Sequence, residues 1–165
     1  MKRNITSTTL VIISVVTLCL GLASAAYAED NGRCSAANVA GKWAYTYTGT
    51  IILPTAALPV ATVGSFTLDA HGNVTATQNR SVGGVYALET VTGTITVKGN
   101  CTGTLNANVY QSSQLVRTAV IDLVFDNNRQ HLRAIFQSAT SQPDGTNLPV
   151  VITIDGLRLF RGEGD

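Results

Sequence analysis

Gly41-Lys-Trp-Ala-Tyr-Thr-Tyr-Thr48 is the stretch that decides the fold. Its residues alternate: Trp43, Tyr45 and Tyr47 share one face, while Lys42, Thr46 and Thr48 take the other. A period of two, filled by aromatic and β-branched residues, specifies a half-buried strand. On the C-terminal side the alternation returns between turn signals. Residues 51–63 are apolar but interrupted by Pro54 and Pro59, which argues against a central strand and predicts a long apolar loop. A strand follows at 62–68, closed by Asp69-Ala-His-Gly-Asn73, whose Gly72 and Asn73 tolerate positive φ and suit a hairpin. Further strands are predicted at 74–80, 85–97, 101–110, 115–125, 131–139 and 150–160, with Gly93 as a β-bulge. No helix is predicted after residue 28.

About eight strands joined by successive hairpins predict an all-β domain, an antiparallel up-and-down barrel without free edges. A two-sheet β-sandwich is the alternative. Residues 119–125, Ala-Val-Ile-Asp-Leu-Val-Phe, are apolar on both faces apart from Asp122, unlike a barrel strand with a wetted outer face. Either the 51–60 segment covers them or a second copy of the chain does, so a homo-oligomer is one expected partner.

Upstream, Lys2 and Arg3 precede an apolar run at residues 10–22, and Ala26-Tyr27-Ala28 offers a small-x-small cleavage site before Glu29 and Asp30. Residues 1–28 therefore read as a secretory signal peptide cleaved after Ala28, and residues 29–165 as one β-barrel domain, periplasmic or secreted. The apolar run is short for a membrane span, so no stable insertion is expected once the signal is removed. Cys19 leaves with the signal, and Leu18 before it is not the small residue that a lipid-anchored cysteine requires. Cys34 and Cys101 remain, and in an oxidising compartment such a pair is expected as one disulfide. Charged residues make up 13% of the chain, against about 25% in ordinary soluble domains. Loss of Lys2 and Arg3 takes the formal charge from +1 to −1, so there is no basic field to attract nucleic acid.

Three motifs in order carry a family resemblance. Cys34 is followed by Val39-Ala-Gly-Lys-Trp-Ala-Tyr-Thr-Tyr-Thr-Gly49, then by Val63-Gly-Ser-Phe-Thr-Leu-Asp-Ala-His-Gly-Asn-Val-Thr75 and Thr92-Gly-Thr-Ile-Thr-Val-Lys-Gly-Asn-Cys-Thr-Gly-Thr-Leu105. Residues 34–105 resemble a group of small bacterial exported proteins of unknown function. Trp43 stands where that group usually has Tyr, and Ile95 where it often has an aromatic residue. The resemblance implies a calycin-like barrel, similar in outline to lipocalins and allene oxide cyclases, and implies no activity. Gly41-Lys42-Trp43 loosely echoes the lipocalin Gly-x-Trp start.

His71 and His131 belong to no His-x-x-x-His unit, so they read as solvated loop residues, and no metal or cofactor is expected. Asp69-x-His71-x-Asn73 lacks the later bidentate acid of a calcium loop and reads as a turn. No Gly-x-Ser-x-Gly elbow is present. Glu89, Asp122 and Asp155 fall inside predicted strands, with Arg117, Arg133 and Arg158 as expected partners on neighbouring strands. If Glu89 or Arg133 points into the barrel, it forms a buried pair or anchors a ligand. The aromatic positions Trp43, Tyr45, Tyr47, Tyr86 and Phe136 either fill the interior or line a cavity. Together with Glu89 and Arg133 they form the candidate ligand-binding set. The expected function is a non-catalytic exported barrel that binds a small apolar ligand or a protein partner. Alternatives are a cyclase-type enzyme using Glu89, Arg133 and Tyr86 on an apolar substrate, or a structural surface component.

Overall fold

Eight strands, hydrogen-bonded in sequence order and closed first to last, make up the computed structural model, which describes residues 33–159. They are β1 (Gly41–Ile52), β2 (Ala57–Leu68), β3 (Asn73–Val82), β4 (Val85–Val97), β5 (Thr102–Gln111), β6 (Gln114–Asp126), β7 (His131–Ser141) and β8 (Val150–Arg158). Every neighbouring pair is antiparallel, so the architecture is the up-and-down barrel and not the sandwich. Closure runs through β1 and β8, from Trp43↔Arg158 to Ile51↔Val150. The expected signal at 1–28 and residue 160 of the last predicted strand lie outside the described residues.

The alternation in β1 is realised: Trp43, Tyr47 and Ile51 are buried, and Lys42, Thr46 and Thr48 are exposed. The predicted apolar loop at 51–63 is corrected. β1 runs on to Ile52 and β2 begins at Ala57, leaving Pro54 in a short turn. Pro59 is tolerated within β2 because its carbonyl accepts from Gly83 N–H at 2.9 Å. Its nitrogen faces that same side, past the last β2–β3 pair, Val60↔Val82, so no bond to β1 is lost. Ile51 and Val60 are therefore interior residues and do not cover β6. In β6, Ala119, Ile121, Leu123 and Phe125 point inward, and Val120 and Val124 lie on the outer face.

Gly83 and Gly84, both at positive φ, make the two-residue turn between β3 and β4 that hairpins of this twist require. Gly93 is not the bulge expected. It pairs in register with Val74 and Ala107, and a Cβ there would run into the Asn106 carbonyl. The register shifts fall instead between Val109 and Tyr110 and between Val120 and Ile121.

One end of the barrel is capped by α1 (Ala36–Val39), a single turn that the sequence reading missed. Four residues are too few to show a helical period, yet the capping signal is there. Ser35 Oγ accepts from Asn38 N–H at 3.3 Å, and Asn38 Oδ1 accepts from Ser35 N–H at 2.8 Å. Just before it, Cys34 is disulfide-bonded to Cys101 in the β4–β5 turn, with Cα atoms 4.8 Å apart. Beneath the cap Trp43, fully buried, donates its indole N–H to the Val39 carbonyl at 3.2 Å. Its ring stacks on Phe66 at 5.9 Å and tilts against Phe125 at 5.4 Å, with Leu68, Val74 and Leu132 completing the layer.

Replacing both cysteines with serine should lower the unfolding free energy by about 4 kcal/mol, because the bond closes a separation of 67 residues. Equilibrium urea denaturation measures this, and an unchanged midpoint would show that the cap holds without the covalent link.

Candidate functional site

One layer further from the cap, the inward side chains become small. Ala76 on β3, Ala107 on β5, Ala119 on β6 and Ala134 on β7 border a chamber of about 70 Å³. Its wall is largely apolar, with Phe66, Ile121, Phe136 and Ile154 among the larger contributors, and one side is polar: Tyr45, Tyr47, Gln78 and Arg117. One water needs roughly 10–15 Å³ by this measure, so the space of about 70 Å³ suits roughly five to seven non-hydrogen atoms: a short alkyl chain or a snug single ring.

The polar side is built by strand register. Tyr45, Gly64, Gln78 and Glu89 form a single row across β1 to β4. A Cβ at Gly64 would come within 2.9 Å of both the Tyr45 ring and Gln78 Cβ, so glycine is what lets those side chains meet. The Tyr45 hydroxyl donates to Gln78 Oε1 at 2.7 Å, and Gln78 Nε2 donates to Glu89 Oε2 at 2.6 Å. Glu89, 1% exposed, also accepts from Arg80 Nη1 at 2.8 Å and from Arg117 Nη2 at 3.0 Å. Burial alone would raise the Glu89 pKa. The charge and hydrogen bonds of Arg117, joined by Arg80 and Gln78, outweigh it and hold the carboxyl below its ordinary range. Burial, reinforced by Tyr47 and the Glu89 charge, pushes the Tyr45 hydroxyl far above the usual phenol range, so it remains a donor.

The structure brings only part of the predicted set together. Tyr45, Tyr47 and Phe136 line the chamber, with Tyr47 and Phe136 edge to face at 5.6 Å. Glu89 stands behind the polar wall. Trp43 belongs to the capped layer and does not reach the chamber. Tyr86 and Arg133 lie on the outer surface, each 66% exposed, with Tyr86 bonded to Asn79 and Arg133 to Asp126. Strand parity explains both corrections: Tyr86 is three residues from Glu89, and Arg133 three from Phe136, so neither pair shares a face. The proposed cyclase trio of Glu89, Arg133 and Tyr86 is therefore not assembled. Gln78 and Arg80 were missed, although they sit in inward phase with Val74 and Ala76. Glu89 meets Arg117 across the interior, with β5 between their strands, and not along a neighbouring ladder.

His131 is not the solvated loop residue expected. Its Nδ1 lies 2.6 Å from Asp126 Oδ1 and its Nε2 2.8 Å from Asp155 Oδ2, so it clamps the ends of β6, β7 and β8. Asp122 accepts from Thr104 at 3.1 Å. Asp69 accepts from the His71 and Asn73 amides at 2.9 and 2.8 Å, which is the turn the sequence reading favoured. Among the described residues, no group of three or more His, Cys, Asp or Glu could hold a metal ion.

Glu89→Gln should destabilise the barrel by roughly 3 kcal/mol, because two guanidiniums lose their buried counter-charge. Urea denaturation at neutral pH measures it, and a loss below about 1 kcal/mol would contradict a buried triad. A second expectation concerns His131, whose pKa the Asp155 hydrogen bond raises, with Asp126 adding to it against partial burial. A raised folded-state value makes the clamp's contribution complete below about pH 6.5 and progressively lost as pH rises through the folded pKa. The Tm difference between the wild type and His131→Gln should therefore shrink across that interval. A difference that stays constant would remove the imidazolium from the account.

No family model matches the chain, and no curated protein does. Among solved structures it is similar to a redesigned beta barrel, mFAP1, bound to DFHBI, with 18% identity, 75% of this chain and 98% of that one covered, and a TM-score of 0.46. It is also similar to EF1p2_mFAP2b bound to DFHBI, with 11% identity, 76% and 99% covered and a TM-score of 0.47. For Rv2717c from M. tuberculosis the values are 13%, 74%, 94% and 0.38.

Proposed function

We propose that this chain is an exported β-barrel binding protein whose chamber holds a small apolar ligand. The observation that carries this reading is the apolar chamber of about 70 Å³ itself. Barrels of eight strands are normally filled by their own side chains, and interiors pack with few voids. Here four inward alanines leave room next to Phe66, Phe136 and Ile121, where a guest would regain dispersion contacts that an empty wall forgoes. The Glu89 carboxylate, engaged by Gln78, Arg80 and Arg117, has no oxygen free for acid–base work, which favours binding over catalysis.

Export is supported by the signal-like residues 1–28 and by the disulfide, which suits an oxidising compartment. Outward threonines and asparagines such as Thr75, Thr92 and Asn108 favour a barrel surrounded by water over one surrounded by lipid. The motifs in residues 34–105 support a place among the small bacterial exported proteins they resemble.

Titration with 1-hexanol, followed by NMR, should give saturable shifts at Ala107, Ala119 and Phe136. Ala107→Leu fills the chamber, so binding should disappear while Tm is held or raised. Undiminished binding by a folded Ala107→Leu variant would place the guest elsewhere and overturn the reading.

A further inference from the structure

Among the described residues, the interior half away from the cap holds one carboxylate and two guanidiniums. Both Arg80 and Arg117, with side chains 15% and 10% exposed, form their ion pairs with the same Glu89. All the carboxylate's accepting capacity is taken: Oε1 by Arg80 at 2.8 Å and Arg117 at 3.4 Å, Oε2 by Gln78 at 2.6 Å and Arg117 at 3.0 Å. The cluster is left with one net positive charge in a largely apolar enclosure, where an uncompensated charge is costly.

An independent feature lies beside it. Thr62, 6% exposed, has a buried hydroxyl with no hydrogen-bond partner among the described residues. It occupies the row next to the polar wall, directly between Tyr47 on β1 and Arg80 on β3. The Tyr47 hydroxyl accepts only a long 3.4 Å bond from Gln78 and keeps its own proton to donate. Tyr47, Arg80, Arg117 and Phe136 also border a hollow of about 10 Å³, and three of these four line the apolar chamber as well. By the same measure as before, that hollow takes about one water-sized group.

We propose that the chamber's ligand is a small monocarboxylate, its apolar body among the alanines and its carboxylate held by Arg80, Arg117, Thr62 and Tyr47. This rests on the apolar-ligand reading and specifies the head group. One negative charge balances the cluster, and acceptor-only oxygens suit guanidinium forks and two spare hydroxyls. A phosphate, with about two negative charges, would overshoot the single positive charge of the cluster.

Isothermal titration of the disulfide-bonded protein at neutral pH and low salt compares hexanoate with 1-hexanol. Hexanoate should bind at least about tenfold more tightly, the gain expected for charge-assisted hydrogen bonds. Arg80→Gln leaves a balanced Glu89–Arg117 pair and should erase the preference, so that the two probes bind alike. Thr62→Val, nearly isosteric, should weaken hexanoate several-fold and tests the same point if Arg80→Gln does not fold. Binding of 1-hexanol with no advantage for hexanoate would overturn the carboxylate assignment and leave the apolar chamber standing. Failure of both probes would overturn both readings.

Discussion

Pairing of β1 with β8 is the constraint from which the rest of this molecule follows. Once nine residue pairs, Trp43↔Arg158 to Ile51↔Val150, close the sheet, every inward side chain faces a shared interior of limited width. Bulk must then be distributed along the axis. At the capped end Trp43, Phe66 and Phe125 pack ring against ring, and α1 with its disulfide covers them. In the middle, alanines from four strands leave the width unfilled. A chamber is the geometric remainder of that change in side-chain size.

Closure also determines how charge can be accommodated. A carboxylate on an inward position of β4 has no access to bulk water, so its partners must come from within the barrel. Register delivers Gln78 from the adjacent strand, and Arg117 reaches over from β6 with two nitrogens. Glycine at position 64 is the steric condition for the same network, since any side chain there would displace Tyr45 or Gln78. The polar wall is thus the consequence of one lateral row, Tyr45–Gly64–Gln78–Glu89.

Much of this was legible before any coordinates. The alternation at Trp43, Tyr45 and Tyr47, the Gly83-Gly84 turn and the pair Cys34 and Cys101 specify the strand series, one hairpin and the covalent link. Strand parity could have been pressed further. Tyr86 and Glu89 differ by three positions, as do Arg133 and Phe136, and a period of two puts the members of each pair on opposite faces. Pro59 misled for a different reason: a missing N–H excludes a strand only where a partner needs it, and here the nitrogen faces the end of a shorter hairpin. α1 was invisible because one turn carries no period, although Ser35 and Asn38 carried the capping spacing.

By itself the sequence determined which residues face inward, how many strands there are and where the cysteines stand relative to those strands, because these depend on local alternation, turn chemistry and composition. Only the tertiary structure decided that Glu89 meets Arg117 from two strands away, that Trp43 seals an end while Tyr45 and Phe136 border a space, and that the Thr62 hydroxyl finds no hydrogen-bond partner among the described residues. Local patterning chooses a side of the sheet. What lies opposite that side is set by the curvature and stagger of all eight strands together, and no single segment encodes that.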